Sequence, residues 1–134
     1  MSDQAGDRQA IIDLAVAYGR IVDRGDFDEL RTLFTPDATA ELGGSGQTGI
    51  DEICDRLSSA LGRFVRWEHH VDDHEVVVDG DTATARCSVH AVHVRPAGES
   101  PPVYTVVGTY EDRLARTAAG WRITHRSLIV THRE

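Results

Sequence analysis

Lysine is absent from the sequence, so all 14 of its basic residues are arginines. They are outnumbered by 22 acidic residues, which gives a formal net charge of −8. The arginines are spread along the chain and form no cluster. A chain of this charge repels a phosphate backbone unless its cations cluster, so nucleic acid is not an expected partner.

Long apolar runs and cysteines are also scarce. No stretch approaches the roughly 20 apolar residues of a membrane span, and the start, Met1–Gln4, lacks the basic and apolar parts of a secretory signal. The two cysteines, Cys54 and Cys87, lie within apolar patterns. This placement favours buried thiols in a reducing compartment over a disulfide. We therefore expect a cytoplasmic protein with no membrane partner.

Several motifs of catalysis and ligand binding are missing. The chain has no GxSxG nucleophile elbow, no Walker loop and no GxGxxG, and no lysine follows the loop 43–46. His70, Asp72 and His74 alternate along one predicted strand, but no fourth metal ligand stands at a recognisable spacing. We expect neither a metal nor another cofactor, and acid/base chemistry is favoured over covalent catalysis.

The first half of the 134 residues has helical patterns. Apolar residues at steps of three and four predict a helix over 7–22, which Arg24-Gly25 would end. The capping-box form of Asp26–Glu29 predicts a second helix that ends at Pro36. A short strand follows over 38–42. Thr48 is then expected to cap a third helix, whose apolar residues run from Ile50 to Leu61.

The second half alternates in the manner of long strands. The predicted strands cover 67–78, 82–94, 104–114 and 121–131, and Asp79-Gly80 is a strong hairpin signal. The length suits one domain, 1–134. We predict an α+β fold in which three helices pack on one face of a curved, mixed or antiparallel sheet, as a cone that encloses a pocket.

Polar residues on apolar faces are the candidates for chemistry. Tyr18 lies on the apolar face of the first helix, where a core tyrosine is the alternative interpretation. Asp23 lies in the last turn of that helix, where the helix dipole disfavours a carboxylate, although it could be a solvated residue before a turn. His69 and His70 are neighbours on a strand, so only one of them can face the interior.

The later strands offer three more candidates. His93 ends an apolar face that also carries Cys87, Val89 and Ala91, which predicts an inward imidazole. In the last strand, parity places His125 on the face of Trp121 and Ile123. The same parity places Arg126 on the opposite face, and neither is expected to be catalytic.

Much of the chain resembles the SnoaL-like branch of the NTF2-like superfamily. The resemblance is carried by Tyr18-x4-Asp23-Arg24-Gly25-Asp26-Phe27, by Leu33-Phe34-Thr35-Pro36-Asp37-Ala38, by His69-His70-Val71 and the hairpin around Asp79-Gly80, and by Gly120-Trp121-Arg122-Ile123. It implies a cone-shaped α+β barrel with a deep pocket, and a homodimer through the exposed sheet face.

The resemblance also implies site residues. Scytalone dehydratase and the bile-acid 7α-dehydratases of this superfamily use a pocket Asp–His pair, which Asp23 and His69 match, with Tyr18 and His93 near further catalytic positions. Ala91 and Val130 stand where the bile-acid enzymes have an acid and an arginine. The residues expected to contact substrate are His70, Val89, Ala91, Tyr110, Trp67 and Phe34.

The candidate residues and the resemblance together lead to the hypothesis of a cofactor-independent lyase or isomerase that acts on a small, apolar cyclic metabolite. In this hypothesis Asp23 orients His69 as the base, Tyr18 or the imidazolium returns the proton, and His93 donates a hydrogen bond to the developing oxyanion. The alternative is a binding or assembly module that uses the same pocket without catalysis. An epoxide hydrolase would need an inward Asp–Arg–Asp set, for which the sequence offers only Asp23.

Overall fold

The computed structural model describes residues 3–134, so Met1 and Ser2 lie outside it. The helical segments are α1 (Gln4–Asp23), a 3-10 helix (Phe27–Thr32) and α2 (Ile50–Leu61). The strands are β1 (Phe34–Leu42), β2 (Ser45–Thr48), β3 (Arg66–Asp79), β4 (Thr82–Val94), β5 (Val103–Thr117) and β6 (Gly120–Arg133). No helix of residues 3–134 is long and apolar enough to cross a membrane.

The six strands form one mixed sheet. Their order is β2-β1-β6-β5-β4-β3, in which β1 runs parallel to β6 and all other neighbours are antiparallel. The helical segments all precede β3 and contribute the other side of the core. This arrangement confirms the predicted α+β class, with helices from the first half of the chain over a curved mixed sheet.

Helix α1 follows its apolar pattern closely. Asp3 caps its N-terminus by accepting a hydrogen bond from the backbone N–H of Gly6 at 3.0 Å. Ile11, Tyr18 and Val22 are buried on its inward face. Gly25, at φ +72°, turns the chain just after the helix, as the sequence predicts.

The second predicted helix is wrong in length and type. Only a single 3-10 segment forms before Phe34 enters β1, and Pro36 lies inside that strand instead of ending a helix. Asp26 makes no side-chain capping bond. Glu29, the other half of the expected capping box, accepts a hydrogen bond from Arg24 at 2.7 Å. An ion pair therefore replaces the capping box.

The start of α2 also differs from the prediction. Gly49, at φ +89°, is the N-cap residue, and Thr48 closes strand β2. The backbone N–H of Thr48 donates to Glu52 Oε1 at 3.2 Å, so the threonine is a donor there and not the cap. The loop predicted at 43–46 is only a Gly43-Gly44 turn, because β2 begins at Ser45.

A bulge in β6 overturns the predicted parity of the last strand. Arg113 pairs with His125 but Leu114 pairs with Ile123, so Thr124 is an extra residue on β6. One inserted residue moves every later side chain to the opposite face of the sheet. Arg126 therefore points inward and is completely buried, contrary to the alternation of the sequence.

Candidate active site

A cavity of about 120 Å³ lies between the helices and the inner face of the sheet. Its apolar lining includes Leu57 and Leu61 of α2, Val89 and Ala91 of β4, and Leu128 of β6. Its polar lining comprises Tyr18, Arg56, His69, His93 and Tyr110. A small apolar chamber with a few convergent polar groups is the usual form of a site for a small molecule.

Asp23 and His69 meet at this cavity. Asp23 Oδ1 lies 2.9 Å from His69 Nδ1, and the backbone N–H of His69 donates to both carboxylate oxygens at 3.0 and 3.1 Å. The side chain of His69 is only 7% exposed and that of Asp23 is 30% exposed. Because the carboxylate can only accept, Nδ1 carries the shared proton and a neutral His69 keeps a lone pair on Nε2.

The two neighbouring histidines of β3 are separated by the sheet. His69 pairs with Ala91 and faces the cavity with it, whereas His70 pairs with His90 on the outer face. The side chain of His70 is 65% exposed and its Nε2 lies 3.5 Å from Glu68. His70, for which a substrate contact was predicted, is therefore not a residue of this cavity.

His93 faces the same cavity from β4, and its ring centroid lies 6.0 Å from that of His69. Its Nδ1 is 3.0 Å from the Tyr104 carbonyl, so Nδ1–H donates there. Burial lowers the pKa of His93 below its usual 6.5, which favours the neutral ring. A neutral His93 with its proton on Nδ1 presents Nε2 as a hydrogen-bond acceptor and not as a donor.

A buried cation lies beneath the cavity. Arg126 is stacked between two tyrosine rings, with Cζ 4.3 Å from the centroid of Tyr18 and 4.0 Å from that of Tyr110. Asp112 holds it with two hydrogen bonds, from Nε and Nη2, both of 2.7 Å. Arg126 Nη1 is buried without a hydrogen-bond partner among residues 3–134. Cation–π contact and the ion pair together compensate the guanidinium for lost water.

The two tyrosines are held in their neutral forms. Burial raises the pKa of Tyr18, an effect that the Arg126 charge partly opposes, and burial raises the pKa of Tyr110 well above its usual value. Both hydroxyls therefore keep their protons at neutral pH and can serve as hydrogen-bond donors.

The cysteines lack the features of nucleophiles. Cys54 and Cys87 are both free and buried, as the sequence predicts. Burial raises the pKa of Cys87 to about 11 and also raises that of Cys54, so both remain protonated thiols at neutral pH. The part of the chain that the structure describes contains no group of three or more His, Cys, Asp or Glu side chains placed to hold a metal ion.

Two further residues predicted to contact substrate lie outside the cavity lining. Trp67 donates from Nε1 to the Val22 carbonyl at 2.6 Å and stacks on Phe27, which anchors β3 to the end of α1. Phe34 is buried against Tyr18 with a centroid distance of 6.2 Å. Phe34 therefore packs behind a residue of the cavity lining, whereas the bonded and stacked partners of the Trp67 indole lie outside that lining. Val89, Ala91 and Tyr110, by contrast, line the cavity.

Sequence reasoning missed three charged residues of this region. Arg126 was assigned to the outer face because the β6 bulge leaves no mark in the alternation of the sequence. Asp112 is 7% exposed and lies on the inner face of β5. The alternation of Tyr110, Asp112 and Leu114 on one face could have predicted that it points inward. Arg56 flanks the apolar stripe of α2 and reaches the cavity wall. The buried Asp112–Arg126 pair lies behind the tyrosines, while Asp23 is bound to His69.

With this geometry in place, comparison with known proteins assigns the fold to a family. Residues 3–127 match the family model described as "SnoaL-like domain", and the chain therefore belongs to the SnoaL-like family of the NTF2-like superfamily. The chain is 37% identical to the uncharacterized protein Rv2910c of Mycobacterium tuberculosis over 127 residues, which are 92% of this chain and 84% of the relative.

Solved structures agree with this assignment. The Kfla4162 protein from Kribbella flavida superposes with a TM-score of 0.91 at 32% identity, covering 98% of this chain and 95% of that one. A candidate scytalone dehydratase from Novosphingobium aromaticivorans superposes with a TM-score of 0.87 at 25% identity, covering 98% of this chain and 88% of that one. Some structural neighbours of this fold are thus described as dehydratases.

The buried Asp112–Arg126 pair yields the first prediction. Asp112→Asn leaves the guanidinium uncompensated in the core, so we expect it to lower the free energy of unfolding by about 3–5 kcal/mol in urea titrations. The double variant D112L/R126M removes both charges and should recover more than half of that loss.

Glu111→Gln is the matched control for this prediction. Glu111 precedes Asp112 on β5, its side chain is 51% exposed and its carboxylate lies 4.0 Å from Arg86 Nε. An exposed pair of this kind contributes at most about 1 kcal/mol. Equal losses in D112N and E111Q would contradict the role given to the buried pair.

Proposed function

We propose that the protein is a cofactor-independent acid/base enzyme, a dehydratase or related isomerase or cyclase, acting on a small, largely apolar cyclic metabolite. The observation that carries the proposal is the 2.9 Å contact between Asp23 and His69 at the wall of an apolar cavity. A carboxylate that fixes Nδ1–H leaves Nε2 available as the base, which is the arrangement required for positioned proton transfer.

In the proposed reaction His69 Nε2 removes a proton from the carbon next to a carbonyl. The electron pair of the broken C–H bond forms the C=C bond of an enolate, and the carbonyl π electrons move onto the oxygen. The imidazolium that results lies against the Asp23 carboxylate, which stabilises its charge. The imidazolium then protonates the hydroxyl at the β carbon, the C–O bond breaks, and the enolate electrons form the C=C bond as water leaves.

The remaining polar groups receive roles that match their hydrogen bonds. Tyr18 has a neutral, buried hydroxyl, which we propose donates to the enolate oxygen or returns the proton. We expected His93 to donate to that oxygen, but its Nδ1–H is used by Tyr104. The role that this geometry supports for a neutral His93 is acceptance, through Nε2, of a hydrogen bond from a substrate hydroxyl.

The candidate scytalone dehydratase supports the same class of reaction by its overall similarity. The Asp23–His69 pair supports it by geometry. A binding protein of this fold would have no need for an imidazole held by a carboxylate inside its cavity. Proton transfer by a positioned residue contributes roughly 10²–10⁴-fold to rate, so the pair can be tested by its removal.

The test is the dehydration of cyclic β-hydroxyketones, with 3-hydroxycyclohexanone as the first probe and enone absorbance as the readout. We expect Asp23→Asn and His69→Gln each to lower the rate by about 10²–10⁴-fold. His70→Gln is the matched control, because its ring lies on the outer face of the same strand, and it should leave the rate unchanged. Wild-type turnover in H69Q would refute the mechanism. Tight binding of such ketones with no turnover would instead identify a binding module.

We also propose a homodimer through the outer face of the sheet. Val77 on β3 is 66% exposed and Ile129 on β6 is 44% exposed, and both alternate with inward residues. Sedimentation equilibrium should give twice the 14.7 kDa chain mass, and Val77→Glu should shift it toward the monomer. Val65→Glu, at a residue that is 64% exposed but outside the sheet, should not do so. A monomeric wild type would rule out this proposal.

A further inference from the structure

Helix α2 places one arginine on the wall of the cavity. Arg56 lies next to the buried Leu57, and its guanidinium reaches the turn between β1 and β2. Its Nε donates to the Leu42 carbonyl at 3.2 Å and its Nη2 donates to the Gly43 carbonyl at 3.4 Å. These two bonds hold the Nε side of the planar group.

The turn is shaped to receive this side chain. A Cβ atom at position 43 would overlap Arg56 Nη2, and Gly43 also has φ +66°, which side chains rarely adopt. The conformation of the turn therefore favours glycine, and a larger residue there would also displace the end of the Arg56 side chain. With its Nε side fixed, Arg56 keeps Nη1 and the second hydrogen of Nη2 as a pair of parallel donors.

The charge of Arg56 has no acidic partner among residues 3–134. Arg24, Arg31, Arg86, Arg116 and Arg126 all have carboxylates within 4.0 Å, whereas Arg56 has none. Eight other arginines also lack a carboxylate within 4.0 Å among the described residues, but none of them lines this cavity, as Arg56 does. A half-buried cation on an apolar wall gains most from an anion that enters the cavity.

Two other arginines lie near His93, which lines the same cavity as Arg56. Phe64 packs on His93 with a centroid distance of 4.9 Å. Arg63 and Arg95 lie over the Phe64 ring at 5.5 and 5.9 Å, and both are close enough to contribute to the lowered pKa of His93. These two guanidiniums place positive charge beside a residue of the cavity lining, which favours an anion there.

We propose that Arg56 is the residue that selects a substrate with a carboxylate group on its apolar ring, which it binds through Nη1 and Nη2. The proposal rests on the proposed function only in taking this cavity as the substrate site. It narrows the substrate class from an apolar cyclic compound to an apolar cyclic acid. The two parallel N–H donors of an arginine match the two oxygens of a carboxylate better than they match a group with a single acceptor atom.

The experiment compares two probes of the same shape, benzoate and benzamide, by isothermal titration calorimetry on the full chain. We expect the wild type to bind benzoate at least about tenfold more tightly than benzamide, because a charge-assisted hydrogen bond is involved. Arg56→Met should abolish this preference while retaining the affinity for benzamide. Arg56→Lys should keep part of the preference, since it retains the charge without the planar pair of donors.

Arg8→Met is the matched control. Arg8 also donates to a backbone carbonyl, that of His74 at 3.4 Å, and it does not line the cavity. Replacing Arg8 by Met changes the net charge by the same amount as replacing Arg56. R8M should keep the benzoate preference. Melting curves identify any variant that fails to fold. If R56M does not fold, R56K is compared with the wild type instead.

The outcomes separate this proposal from the catalytic one. Equal affinity of the wild type for the two probes, no detectable binding of either, or an unchanged preference in the folded Arg56 variants would overturn the role of Arg56. Asp23→Asn should keep the benzoate preference, because Asp23 acts on His69 and not on the carboxylate. If R56M loses the benzoate preference while H69Q keeps the wild-type turnover, the role of Arg56 stands and the catalytic proposal fails. If R56M keeps the preference while H69Q loses turnover, the catalytic proposal stands and the role of Arg56 fails.

Discussion

The carboxylate of Asp23 joins the end of α1 to the start of β3 through three hydrogen bonds to a single residue. Two come from the backbone N–H of His69 and one from its ring. The same contact therefore holds the backbone of β3 against the end of α1 and orients the imidazole of His69. Trp67 reinforces it two residues earlier by bonding to the Val22 carbonyl. The position of the proposed base thus depends on the join between the two layers of the fold.

The other constraint on the site is the buried cation beneath it. Arg126 gives up all contact with water, and Asp112 and the two tyrosine rings replace that water. The tyrosine hydroxyls remain protonated because burial disfavours their charged forms. The polar floor of the cavity is therefore made of neutral donors supported by a paired charge. This arrangement suits the stabilisation of negative charge that develops on a substrate oxygen.

Much of this fold could be predicted from the periodicity of the sequence. The steps of three and four in α1, the apolar stripe from Ile50 to Leu61, and the alternation through β4 all correspond to the buried faces observed. That alternation also placed His93 on the inner face. Side-chain period follows from local backbone geometry, so it can be read without knowing which strands are neighbours.

What escaped prediction depends on contacts between distant parts of the chain. The bulge at Thr124 exists because β5 and β6 pair with a shifted register, and it alone sends Arg126 into the core. Strand β1 begins at Phe34 because it pairs with β6, which overrides the capping-box signal at Asp26. Arg56 carries no motif, and the role proposed for it depends on its place on the cavity wall and its bonds to the turn between β1 and β2.

The central claim is that Asp23 holds His69 with its proton on Nδ1 and a lone pair on Nε2 toward the cavity. A long-range ¹H–¹⁵N correlation spectrum of the histidine rings at neutral to alkaline pH reports this tautomer directly. The account predicts that wild-type His69 is the Nδ1–H tautomer and that Asp23→Asn shifts it toward the Nε2–H form common for unconstrained rings. An Nε2–H tautomer in the wild type, or a spectrum of His69 that D23N leaves unchanged, would contradict it.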